Sequence, residues 1–104
     1  MWVRLGLFPV KAGQGSALQQ LHKAKVLSYV GKQNGLVGSL LLEPVKEGEP
    51  FAALTVWRTR QDGEAYESSG AAASVVELLR PFMAGPPTLT SYEAHSFTFP
   101  SAAV

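Results

Sequence analysis

The sequence predicts an α+β domain: a four-stranded antiparallel sheet with two helices on one face. Three observations point there. Runs with a two-residue alternation occur at both ends and in the middle of the chain, two intervening segments carry apolar residues at helical spacing, and a single turn-rich loop, Val45 to Pro50, joins the two central runs. The resulting order, strand, helix, strand, strand, helix, strand with a hairpin at its centre, is the split βαβ or ferredoxin-like arrangement.

The first strand runs from Trp2 to Val10, with Val3, Leu5 and Leu7 on one face and Trp2, Arg4, Gly6 and Phe8 on the other. Pro9 confines it to an edge or marks its end. Lys11 to Gly15 forms a turn, and the Ser16 hydroxyl is placed to cap a helix over 17–30 whose stripe is Leu18, Leu21, Val26, Leu27, Tyr29 and Val30. Gly31 and Asn34-Gly35 close that helix. The second strand, 36–44, sets Leu36, Leu40 and Leu42 against Val37 and Leu41. The third, 51–58, sets Phe51, Ala53 and Trp57 against Ala52, Leu54 and Val56. Gln61-Asp62-Gly63 is the next turn, and a second helix follows with Ala72, Val75, Val76, Leu79 and Met83 as its stripe. Gly70 marks a break in its first turns, and Pro81 with Gly85-Pro86-Pro87 ends it. The fourth strand, 88–99, alternates Leu89, Ser91, Glu93, His95, Phe97 and Phe99 against Thr90, Tyr92, Ala94, Ser96 and Thr98.

At 104 residues the chain accommodates one domain, 1–100, with a loose tail at 101–104. Its formal net charge is +1 and its nine Lys and Arg are scattered, so no stripe exists that would track a phosphate backbone and nucleic acid is not an expected partner. With no Cys, disulfides, thiolate metal sites and a Cys nucleophile are excluded, and no other ligand spacing calls for a metal. No apolar run is long enough to span a membrane and no signal-peptide core follows Met1, which makes the cytoplasm the default location. Charged residues make up 16% of the chain, against roughly 25% for a typical soluble domain. The second and third strands are also apolar on both faces, whereas an antiparallel sheet covered on one side normally shows water a polar second face. Two copies packed sheet on sheet would hide about 800 Å² per protomer, so a homodimer is expected.

Several segments together resemble the antibiotic biosynthesis monooxygenase domain of the dimeric α+β barrel superfamily. They are Val10-Lys11-Ala12-Gly13 after the first strand, Asn34-Gly35-Leu36-Val37-Gly38 before the second, Thr55-Val56-Trp57 at the end of the third, and Leu79 to Pro87 before the last; the resemblance covers Val3 to His95. It implies a small enzyme that oxidises an aromatic, quinol or anthrone-type compound in an apolar pocket without a cofactor, the deprotonated substrate itself giving electrons to O₂. Two alternatives of the same fold stay open: a non-catalytic binding or stress-related module that holds a small apolar ligand, and an isomerase or decarboxylase-like enzyme that uses His22 or His95 for proton transfer without O₂.

In the anthrone-oxidising members of that family the strand-end Trp matches Trp57, while their Asn, Tyr and Arg positions fall at Ala53, Gly63 and near Ser74. The haem-degrading members use an Asn, a Trp and an axial His, which fall approximately at Gly6, Tyr66 and Val76. With no imidazole at the last position, haem degradation is set aside.

The candidate catalytic residues are then His22 and Tyr66. His22 borders the apolar stripe of the first helix and titrates nearest neutral pH, while Tyr66 offers a hydroxyl nine residues after the Trp. Trp57, Phe51 and Leu18 are the expected substrate-lining residues, a flat ring and two apolar walls for a flat ligand. His95 shares a strand face with Glu93 and is taken as an edge or interface residue. Arg58 and Arg60, beside Glu64 and Glu67, are taken as exposed ion-pair formers.

Overall fold

Strands Trp2–Phe8 (β1), Leu36–Leu42 (β2), Phe51–Trp57 (β3) and Thr88–Glu93 (β4) pair antiparallel in the order β2-β3-β1-β4 in the computed structural model, which describes residues 1–96 and 98. The predicted residues Phe97 and Phe99 of the last strand, and the predicted tail 101–104, lie outside the described residues. β1 and β3 occupy the centre of the sheet and run in register from Trp2 opposite Trp57 to Phe8 opposite Phe51. That register puts Trp2, Arg4, Gly6 and Phe8 on the same face as Phe51, Ala53, Thr55 and Trp57, and the helices pack over this face.

The first helical stretch is continuous in sequence but not in geometry. An α-helix at Gly15–Leu21 (α1) passes through a π-helical turn at His22–Val26 into a second α-helical piece at Leu27–Gly31 (α2). Its buried line is Leu18, His22, Val26 and Val30, spaced by four. In a regular α-helix each four-residue step turns a side chain about 40° further round the axis, so four such positions would drift away from the sheet. The wider π turn absorbs that drift and keeps the line facing inward. Leu27, expected in the stripe, is 40% exposed, and His22 stands in the line instead. Ser16 lies inside the first turn and does not cap it; the cap position is Gln14, which makes no side-chain bond to the helix.

Gln61-Asp62-Gly63, expected as a turn, forms the first turn of the helix Arg60–Ser68 (α3). Thr59 is the reason. It is extended, and its Oγ1 accepts a hydrogen bond from the Asp62 amide at 3.1 Å, satisfying a donor the helix leaves free. Gly70, at φ +89°, then separates α3 from the helix Ala71–Leu79 (α4). The break therefore divides two helices of equal length instead of interrupting the first turns of one. A 3₁₀ turn at Arg80–Phe82, with Pro81 inside it, ends α4 and delivers Met83 to a bridge with Val10.

The faces of β2 differ from simple alternation. Pairing steps from Leu36 opposite Trp57 to Gly38 opposite Val56, so Val37 is an inserted residue, a bulge that reverses parity. Leu36 consequently sides with Leu41 on the helix face, while Leu40 and Leu42 share the open face with Val3, Leu5, Leu7, Leu54, Val56 and Tyr92. On that open face Leu7, Leu40, Leu42 and Tyr92 are 38%, 51%, 45% and 53% exposed. Apolar side chains therefore line much of a face that no helix covers. Among the described residues, no helix is long and apolar enough to cross a membrane.

Candidate functional site

Trp57 closes β3 on the helix face and is fully buried. Its Nε1 donates to Thr55 Oγ1 at 2.8 Å, a bond made possible because residues two apart on a strand point the same way. That bond fixes the plane of the indole. Tyr66, on the inward side of α3, lays its ring against it, with centroids 4.8 Å apart and planes tilted by 34°. The Arg4 guanidinium lies 5.7 Å from the centre of the Tyr66 ring and 3.4 Å from Glu67 Oε1. Burial pushes the Tyr66 phenol above its ordinary value, with Arg4 partly opposing the shift. At neutral pH this hydroxyl is protonated and serves as a hydrogen-bond donor, not as a base.

Trp57 and Tyr66 border a concavity of about 160 Å³ with Gln33, Asn34, Asp62, Ala65 and Ser69. Asp62 is the carboxylate of this group, held there by the first turn of α3. It packs over Gly35, whose φ of +82° already favours glycine and where a Cβ would overlap the Asp62 carboxylate. The sequence reasoning missed Asp62 because it assigned this segment to a turn; Thr59 three residues ahead of an acidic residue was the available signal of a helix start.

The five sequence-predicted residues do not share one cavity. Trp57 and Tyr66 meet as described. His22 is 5% exposed and lines a different groove of about 470 Å³ between α1 and β2. Burial lowers its imidazole below the ordinary value, so it is neutral at pH 7. Phe51 packs against Phe8, centroids 6.3 Å apart, and borders a third concavity of about 480 Å³ between the 9–15 turn and the 43–49 loop. Leu18 is fully buried in the core. The apolar space expected between sheet and helices is filled by Trp2, Leu18, Val26, Val30, Trp57 and Tyr66.

The positions compared with the anthrone-oxidising enzymes have plain structural occupants. Gly63 has no room for any side chain, because a Cβ there would overlap the indole of Trp2. Ser74 is exposed and bonds back to the Gly70 carbonyl at 3.1 Å. Ala53 is half-buried on the helix face. The haem-degrader positions fit no better: Gly6 faces Leu89, and α4 carries Val75 and Val76 with no imidazole. Among the described residues no three His, Asp or Glu side chains converge as a metal site would require. The position matched to the haem degraders' axial imidazole carries Val76, so that ligand is not present there.

A family model described as antibiotic biosynthesis monooxygenase matches residues 1–78, three quarters of the chain. The chain belongs to the antibiotic biosynthesis monooxygenase family. No curated protein matches it. Solved structures show how widely this family fold is shared. MhuD from Mycobacterium tuberculosis, a haem degrader solved with two haems in its active site, is 24% identical over 95% of this chain and 100% of its own, with a TM-score of 0.77. SnoaB from Streptomyces nogalater, a cofactor-independent oxygenase, is 16% identical over 96% and 97%, with a TM-score of 0.73. An antibiotic biosynthesis monooxygenase-type protein from Deinococcus radiodurans is 16% identical over 95% and 97%, at 0.75. This member of the family carries the ferredoxin-like sheet and helices predicted from its sequence, with Trp57 and Tyr66 stacked in its core.

Proposed function

We propose that this chain is a cofactor-independent oxygenase of small phenolic or quinol-type compounds, acting at the Trp57–Tyr66 cavity. The observation that carries the reading is convergence. A neutral phenol donor, a carboxylate and a buried indole border one small concavity within a family that includes a cofactor-independent oxygenase. Its volume narrows the substrate class, since a cavity of about 150 Å³ is enough for benzene. One ring fits within it, and the rest of a larger compound would lie outside the concavity.

In this reading Asp62 accepts the proton of the substrate hydroxyl and Tyr66 donates a hydrogen bond to the resulting phenolate, which concentrates electron density on the ring. A phenol with a free para position then reacts with O₂: one oxygen atom becomes the para carbonyl, the other leaves as water, and the ring, now a quinone, has supplied all four electrons. Trp57 borders the cavity from within the core and, by packing against the Tyr66 ring, holds that phenol in place. The protein acts as a homodimer, with the open sheet face of one copy covered by the other, because Leu7, Leu40, Leu42 and Tyr92 otherwise remain in water.

The test is oxygen uptake with a panel of phenols and quinols, comparing the natural protein with Tyr66→Phe and Asp62→Asn. Uptake above the autoxidation rate, reduced in both variants, is expected. Uptake no faster than autoxidation for every compound, together with saturable binding at Trp57, would instead establish the second reading, a binding module, which Ala53 and Gly63 favour by leaving the anthrone-type polar positions empty.

A further inference from the structure

We propose that the groove between α1 and β2 is a second ligand site, separate from the Trp57–Tyr66 cavity, which takes an uncharged apolar compound bearing a hydroxyl group, with His22 as its hydrogen-bonding anchor. The groove has a volume of about 470 Å³, within the range of small-molecule sites and large enough for a two-ring compound.

His22 is the first indication. It sits in the most buried line of its helix, between Leu18 and Val26, and also lines the groove; among the described residues no side-chain nitrogen is both buried and unpartnered, so any ring nitrogen without a protein partner is open to solvent. The imidazole borders the groove, so the groove is where a partner can meet it. The backbone is the second indication: the π turn begins at His22 and holds this residue inward, and π turns of this kind concentrate at functional positions.

The remaining lining defines the ligand. Leu27 and Leu41 make an apolar wall, with Leu40 at the rim where the groove meets the open sheet face, and Leu27 is 40% exposed. Lys23 and Glu43 bring opposite charges to the same groove, so it offers no net attraction to a carboxylate or an ammonium group. The Gln19 amide is already committed to Glu43 Oε2 at 2.9 Å. His22, with Ser39 beside it, is left to recognise a hydroxyl. A neutral imidazole accepts from the hydroxyl proton or donates to its oxygen, and the leucines cover the hydrocarbon body.

2-Naphthol is a suitable probe, with naphthalene, 2-naphthoate and 2-naphthylammonium as controls. The imidazole resonances of His22 are followed by NMR during titration and separated from those of His95 in a His95→Ala protein. The expected result is a saturable shift at His22 with 2-naphthol and affinities about tenfold weaker for the three controls. Two variants read the site independently. His22→Phe removes the anchor, and Leu27→Trp fills the groove from its exposed side without touching the core; each is expected to weaken 2-naphthol about tenfold or more. Tyr66→Phe is expected to leave the His22 titration unchanged. Binding that shifts the Trp57 indole resonance alone, or equal binding of naphthalene and 2-naphthol, would overturn this second site while leaving the proposed oxygenase site untouched. Conversely, an oxygen-uptake failure does not bear on the His22 titration.

Discussion

Gly63 and Trp2 occupy each other's space: a Cβ built on Gly63 would overlap the six-membered ring of the Trp2 indole. Gly63 is the position where the family resemblance leads one to expect a tyrosine, and here the indole of the first strand takes the room.

Gly63→Ala is therefore expected to destabilise the fold by about 1–3 kcal/mol through overpacking, despite the helix propensity that alanine adds to α3. Urea denaturation measures it. The doubly substituted Gly63→Ala/Trp2→Leu protein should lose less stability than the sum of the two single changes, because the smaller side chain at 2 clears the clash. Additive losses would mean that the two residues do not compete.

Thr55→Val should cost about 1–2 kcal/mol of stability although it preserves shape, since it leaves the Trp57 indole N–H without its acceptor in a buried site. It should also blunt substrate discrimination by freeing the plane of the ring. Denaturation and oxygen uptake on the same preparation separate the two effects. Unchanged stability would mean that the Thr55 hydroxyl does not hold Trp57.

The pH dependence of stability follows from His22. Its folded-state pKa is lowered by burial, so the unfolded chain binds the proton more readily. Stability is then full above the ordinary value of about 6.5, falls as pH drops through it, and levels off below the depressed folded value. Glu77, whose carboxyl Arg80 holds below its usual range, contributes only at more acidic pH, so the two windows are distinct. Urea midpoints at pH 7.5 and 5.5 should differ in the natural protein and converge in His22→Phe; an unchanged difference in that variant would assign the slope to another group.

Leu40→Glu places a charge on the open sheet face, partway along the edge strand β2, at a position half exposed in one copy. The protomer should still fold, whereas the proposed dimer should dissociate. Light scattering after size exclusion is expected to give a dimer for the natural chain and a monomer for the variant, and a natural chain that runs as a monomer would refute the sheet-on-sheet assembly.

Much of the architecture was legible because period-two alternation survives in β1 and β3, whose faces are as expected. β2 was not legible in the same way: Val37 is inserted at a bulge, and one extra residue moves Leu36 to the opposite face without changing composition or hydrophobicity. The helix expected over 17–30 is present over 15–31, but a stripe template of three and four does not foresee a run of fours that needs a π turn. Local chemistry misled at Gln61-Asp62-Gly63, where a turn-like triplet hides behind the Thr59 cap. The site was legible only in part. The nine-residue step from Trp57 to Tyr66 is read from the sequence, but the distance from His22 to that pair depends on which side of α1 borders β2, which is a matter of packing.

The π turn at His22–Val26 has a bearing on comparisons with other members of the fold. It amounts to one amino acid more than an unbroken helix needs to cover the same length of sheet. Against any relative whose helix is regular throughout, structural equivalence before residue 22 and after residue 26 must slip by one position. Roles carried across by counting along this helix would therefore be assigned to the wrong neighbour on one side of it.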